Sequence, residues 1–117
     1  YDRGSRRFLI GSLHKRKVIA VDEVTGRAAD YATFREAGFL SVLGLEADNR
    51  RGALYVLSAD GPEMSRDTVR AEDQSFLHRL QLSSGRQVTK IAPPAAAGGH
   101  RLDDLVQAPD GTLYVTD

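Results

Sequence analysis

The chain has 117 residues, 41% hydrophobic and 27% charged, which suits one small globular domain and excludes a disordered segment. Lys+Arg 16 balance Asp+Glu 16, so no net field gathers nucleic acid or an anionic membrane surface. Cysteine is absent, which removes disulfides and thiolate metal sites without choosing a compartment, and no apolar run approaches the roughly 20 residues that span a bilayer. The first residue is Tyr1, with no signal-like stretch behind it, so the natural N-terminus is expected to lie elsewhere.

In chain order, residues 8–10 form an apolar run closed by Gly11 and Ser12, the first predicted strand (8–12). A polar connection at 13–17 leads to the second (18–22), and Thr25-Gly26 closes a tight turn in which glycine supplies a positive φ. Residues 27–33 are more polar and read as an outer strand. Strand 40–46 interleaves Ser41 and Gly44, the turn cluster 48–52 follows, and strand 54–58 comes next. After residues 61–74 the cycle resumes with strand 76–82, the Ser84-Gly85 turn and strand 87–91. A Pro93-Pro94 to Gly98-Gly99 loop leads to strand 102–107, the Asp110-Gly111 turn and strand 112–116. Short strands punctuated by turn residues at roughly 8–12-residue spacing read as all-β.

The chain also repeats itself. Val18-Ile-Ala-Val-Asp-Glu-Val-Thr-Gly-Arg27 aligns without a gap on Leu77-His-Arg-Leu-Gln-Leu-Ser-Ser-Gly-Arg86, a shift of 59 residues. The same shift carries Gly52-Ala-Leu-Tyr-Val56 onto Gly111-Thr-Leu-Tyr-Val115, and Arg7-Phe-Leu-Ile-Gly-Ser12 is a third copy of that element. A period of this size, built of short strands and turn dipeptides, is the mark of a propeller blade. The whole chain, 1–117, therefore reads as part of a β-propeller, roughly two four-stranded blades cut from a closed ring. The runs at 8–10, 18–21 and 54–57 are apolar on both faces, as a sheet packed between two others requires. The earlier strand copies lie 46 apart (Ile10 to Val56) against 59 for the later pair, so 61–74 reads as an insertion, a rim loop or a substrate-covering lid. Closure protects a propeller's sheets, so the cut faces need missing blades or further copies to cover them. The bare monomer is expected not to fold stably.

Two places offer chemistry. Asp103 and Asp104 lie on the predicted strand 102–107, where alternation sends one to the central channel and the other between blades. A channel-facing carboxylate suits a hard cation or a general base, and a buried one needs a partner or a cation. The plain alternative is a pair that caps strand ends. His100 directly precedes this strand and is expected at the channel mouth, whereas His14 sits in a polar connection and His78 mid-strand. No nucleophile elbow, phosphate loop or zinc signature is present.

Taken together, Phe8-Leu-Ile-Gly-Ser12, Val18-Ile-Ala-Val-Asp22 with Thr25-Gly26, Val42-Leu-Gly-Leu45, Ala53-Leu-Tyr-Val56 and Leu102-Asp-Asp-Leu105 through Asp110-Gly-Thr-Leu-Tyr-Val-Thr-Asp117 resemble the SMP-30/gluconolactonase/LRE-like family. The likeness covers nearly the whole chain apart from 61–74. It implies a six-bladed propeller in which a divalent cation, calcium or zinc, polarises a lactone or ester carbonyl at the channel floor. The family's Asn-Asp pair falls on Asp103 and Asp104, with Asp103 at the Asn position that faces metal and substrate. There a carboxylate replaces a neutral donor–acceptor. Asp104 matches the partner carboxylate, which in some relatives helps hold a buried calcium. The resemblance places the metal-binding Glu on a strand before Tyr1 and the other ligands on blades after Asp117. It thus implies metal ligation by Asp103 and Asp104 and a small-molecule substrate met by Asp103; His100, from its place beside them, is the other expected substrate contact. The alternatives are a non-catalytic propeller module that binds a ligand or protein, and a fragment that self-associates, three copies completing one ring.

Overall fold

Each of the nine runs expected to be extended, the polar stretch after the Thr25-Gly26 turn included, contains a strand. The computed structural model describes residues 1–64, 74–94 and 100–117, so most of the insertion at 61–74 and the end of the loop before His100 lie outside the described residues. Strands β1 (Arg7–Ser12), β2 (Lys17–Asp22) and β3 (Ala28–Thr33) make a first antiparallel sheet. Strands β4 (Ser41–Asp48), β5 (Ala53–Ala59), β6 (Ser75–Gln81) and β7 (Gln87–Ile91) make the middle sheet, and β8 (Leu105–Gln107) with β9 (Leu113–Val115) a third. Among the described residues, 50% strand and 4% helix make an all-β fold, and strand order in every sheet follows chain order.

The one helix among the described residues, α1 (Phe34–Ala37), was not expected from sequence. Local chemistry accounts for it. The Glu36 carboxylate accepts from the Thr33 backbone N–H (3.0 Å) and from the Thr33 hydroxyl (2.9 Å), and Gly38 ends the turn at φ 66°.

The sequence repeat is also a repeat of geometry. In the β2–β3 turn the Gly26 N–H donates to the Asp22 carbonyl (3.0 Å) and the Asp22 N–H to the Arg27 carbonyl (3.0 Å). Fifty-nine residues on, Gly85 donates to Gln81 (2.8 Å) and Gln81 to Arg86 (2.8 Å). The two turns are hydrogen-bonded alike, residue for residue.

Side-chain alternation sets how the sheets stack. Leu9 and Val18 from the first sheet meet Val42, Leu54, Val56 and Leu80 on one face of the middle sheet. On its other face Leu57, Tyr55 and Leu77 meet Leu102, Leu105 and Leu113 of the third unit. Residues 54–57 thus have both faces covered, as their unbroken hydrophobicity requires. The runs at 8–10 and 18–21 differ: Val18 is buried, but Phe8 and Ile10 are half exposed on the face away from the middle sheet. Arg51 ties two units together at the turns, pairing with the buried Asp48 (2.9 Å) and donating to the Asp110 carbonyl (3.1 Å).

Gly44 sits where β4 meets the chain entering β8. A Cβ there would lie 2.8 Å from Leu105 Cδ2, 3.2 Å from Asp104 Cα and 3.3 Å from the Asp103 carbonyl oxygen. Two of these neighbours are backbone and cannot swing aside. Gly44→Ala is therefore expected to cost about 1–3 kcal/mol in a thermal or urea melt, by prising β8 from β4. Unchanged stability would show that this backbone approach is looser than described.

Candidate functional site at the start of β8

The acidic pair does not lie within a regular strand. The expectation of a strand over 102–107 is corrected: β8 begins at Leu105, because Asp103 and Asp104 together oppose one residue, Thr116. The Asp103 N–H donates to the Thr116 carbonyl (3.0 Å), and the Thr116 N–H donates to the Asp104 carbonyl (2.9 Å). Two residues facing one is a β-bulge, the irregularity that re-aims side chains near sites. The middle sheet carries a matching irregularity, where β4 shifts register between Val42 and Leu45. Under the 59-residue shift Asp103 and Asp104 fall on Gly44 and Leu45, so the middle sheet carries no matching charges.

Both Asp103 and Asp104 are exposed. The Asp104 carboxylate accepts from the next backbone N–H, that of Leu105 (2.9 Å), while the Asp104 N–H donates to the Thr116 hydroxyl (3.0 Å). Among the described residues no hydrogen bond or ion pair engages the Asp103 carboxylate.

His100 is held to one side of the pair. Its Nδ1 meets the Asp117 carboxylate, whose other oxygen accepts from the Arg101 N–H (2.9 Å). The hydrogen bond from His100 holds the Asp117 carboxyl below the ordinary aspartate range. Ser75 anchors the same segment, donating to the His100 carbonyl (2.6 Å) and accepting from the Leu102 N–H (3.1 Å). The fold therefore brings His100 to Asp117, a partner the sequence did not suggest, and shows no contact between His100 and Asp103.

Among the described residues no group of three His, Asp or Glu side chains converges as a cation site requires. Asp103 and Asp104 offer two hard oxygen donors of the kind calcium takes, fewer than the roughly six to eight of a complete site. A pocket of about 150 Å³ lies beside Asp104, lined by Leu105, Val106, Tyr114, Val115 and Thr116. That is below the roughly 300 Å³ at which small-molecule pockets usually begin.

A more closely coupled group lies in the core. Ser58 Oγ and His78 Nε2 are 2.8 Å apart, and His78 Nδ1 is 2.8 Å from Gln87 Oε1. With the Gln87 carbonyl oxygen as acceptor, Nδ1 carries the proton and Nε2 accepts from the Ser58 hydroxyl. The order of groups is that of nucleophile, base and orienting residue. Yet Ser58 and His78 are both fully buried, and Phe39 sets its ring edge-on to the imidazole at 4.8 Å. No substrate reaches this hydroxyl; the network satisfies polar groups in the core. Each of its members is visible in the sequence, but their convergence depends on strand register.

No protein-family model matches the chain, and no curated protein does so either. Among the described residues no helix is long and apolar enough to cross a membrane.

Proposed function

We propose that the chain is a segment of a six-bladed β-propeller similar to the SMP-30/gluconolactonase/LRE-like family. In this reading β4–β7 is one blade, and β1–β3 and β8–β9 belong to the blades on either side. The observation that carries it is the stack of three sheets, in which the middle one is covered on both faces and the first strands, β4 and β8, meet at bulges. The activity that suits such a segment best is metal-assisted hydrolysis of a lactone or related ester. Asp103, exposed on its bulge, is this chain's contribution to substrate or cation, with Asp104 and His100 beside it. Calcium or zinc would polarise the carbonyl when bound, with its remaining ligands on the other blades that the resemblance implies.

The test uses the protein that carries this segment, assayed for lactone hydrolysis with added calcium or zinc. Asp103→Ala is expected to weaken metal affinity by about 10–100-fold. Asp103→Asn, which restores the family's residue, is expected to keep the activity. A normal metal affinity in the alanine variant would remove Asp103 from the site. One observation favours a second reading, a propeller module that binds without catalysis: two exposed carboxylates have no third ligand among the described residues. Absence of lactone hydrolysis under any added metal would select that reading.

A further inference from the structure

A polar cleft of about 370 Å³ lies between the first and middle sheets, away from Asp103. Tyr31 of β3 and Glu36 of α1 line one wall, and the β6–β7 turn with Arg86 and Gln87 lines the other. The volume falls in the roughly 300–1,000 Å³ range of small-molecule sites. Both walls are built from described residues of this chain, and they are held in place. The Tyr31 hydroxyl donates to the carbonyls of Gln81 (3.1 Å) and Leu82 (2.9 Å), tying the walls together beneath the cleft. A wall fixed before binding spares a ligand the cost of ordering it.

The hydrogen-bonding groups along the cleft are only half used. The Glu36 carboxylate gives Oε2 to Thr33 and keeps Oε1 as a spare acceptor. Gln87 gives Oε1 to His78 Nδ1, and its amide nitrogen has no partner among the described residues. The Arg86 guanidinium likewise has no partner among the described residues, and it forms no ion pair with Glu36 across the cleft. A simple anion here would meet the Glu36 carboxylate, and a simple cation would meet Arg86. A small molecule carrying both charges meets an opposite charge on each wall. We propose that this cleft binds a free α-amino acid. Its carboxylate lies on the Arg86 fork and the Gln87 amide, and its ammonium group donates to Glu36 Oε1. The volume left beside Ser84 takes the amino acid's own side chain. This inference needs only the stacking of the first sheet on the middle one, and does not rest on the propeller reading.

The test is calorimetry on the protein that carries this segment, with glycine, L-leucine and L-glutamine as probes. Two analogues of glutamine each lack one charge: glutaramate has no amine, and γ-aminobutyramide has no carboxylate. At least one amino acid is expected to bind with a Kd of about 1 mM or tighter. Both analogues are expected to bind about tenfold more weakly than glutamine, or worse. Arg86 is exposed, so Arg86→Ala should melt as the parent does while losing amino-acid affinity by about tenfold or more. Glu36→Gln keeps an acceptor for Thr33 and removes only the charge. In that variant glutaramate is expected to bind as tightly as glutamine. Glutaramate binding the parent as tightly as glutamine would overturn the inference in favour of a plain anion site. Unchanged affinity in Arg86→Ala would place the ligand elsewhere and overturn it too. So would the failure of all three amino acids to bind at about 10 mM. None of these outcomes depends on lactone hydrolysis, so this inference and the proposed activity stand or fall separately.

Discussion

Gly85→Ala is expected to destabilise the folded protein by about 3 kcal/mol, while the same change at its repeat partner, Gly26→Ala, costs about 1 kcal/mol. Both glycines have left-handed backbone, φ 74° and 69°, and both close turns with the same hydrogen bonds. The backbone penalty for a Cβ is thus common to the two sites. What differs is the surroundings. A Cβ on Gly26 meets nothing within 4 Å, but one on Gly85 would lie 2.4 Å from the Tyr31 carbonyl oxygen and 3.3 Å from its carbonyl carbon. That strand cannot retreat easily, because the Tyr31 hydroxyl reaches over the same turn to the carbonyls of Gln81 (3.1 Å) and Leu82 (2.9 Å). Arg7 adds to the clamp, stacking on the Tyr31 ring at 4.9 Å and donating to the Leu82 carbonyl (3.0 Å). Urea melts of the two variants side by side check this directly. Equal losses would mean that the first and middle sheets are not held together at this turn.

That pair of glycines also shows how far the sequence reaches. Turn residues at a fixed shift are local signals, so Gly26 and Gly85, and with them the strands on either side, were legible without coordinates. The crowding at Gly85 depends on which sheet packs beside it, and one chain's pattern does not state that. Helix α1 was missed because four residues carry no periodicity, and only the Thr33 to Glu36 spacing marks it. At the candidate site, residue types were legible and pairings were not. Alternation predicted a regular strand over 102–107, and the pairing of Asp103 and Asp104 against the single residue Thr116 delays β8 to Leu105. His100 was singled out for lying next to the acidic pair, yet its partner is Asp117, 17 residues on, brought back by the β8–β9 hairpin. His78 was placed mid-strand, and there its side chain is buried in the core.

His78 makes stability depend on pH in a window of its own. Burial disfavours the charged ring and pushes its pKa down to about 4; the hydrogen bond to Gln87 opposes this and the nearby Lys90 charge adds to it. In the unfolded chain the ring takes up its proton near the ordinary value of 6.5. Between those two values the unfolded state binds more protons than the folded one, so stability falls as pH drops from 6.5 towards about 4. Above 6.5 the ring is neutral in both states and contributes no slope. A shift of this size corresponds to about 3 kcal/mol across the window, a large share of a small domain's stability. The buried carboxylates Asp2 and Asp48 act at lower pH. Burial works against ionisation of Asp2 and Asp48, but hydrogen bonds from Arg7 and Arg51 outweigh it and hold both below the ordinary aspartate value of 3.8, so their contribution is lost at lower pH still. Denaturant melts at half-unit intervals from pH 7.5 to 4 are expected to show the decline in the parent chain. His78→Leu should be less stable at pH 7, because Ser58 and Gln87 lose their shared partner at a cost of about 1–3 kcal/mol. Its stability should nevertheless stay level between pH 6.5 and 4. A variant that declines as steeply as the parent would show that some group other than His78 takes up the proton.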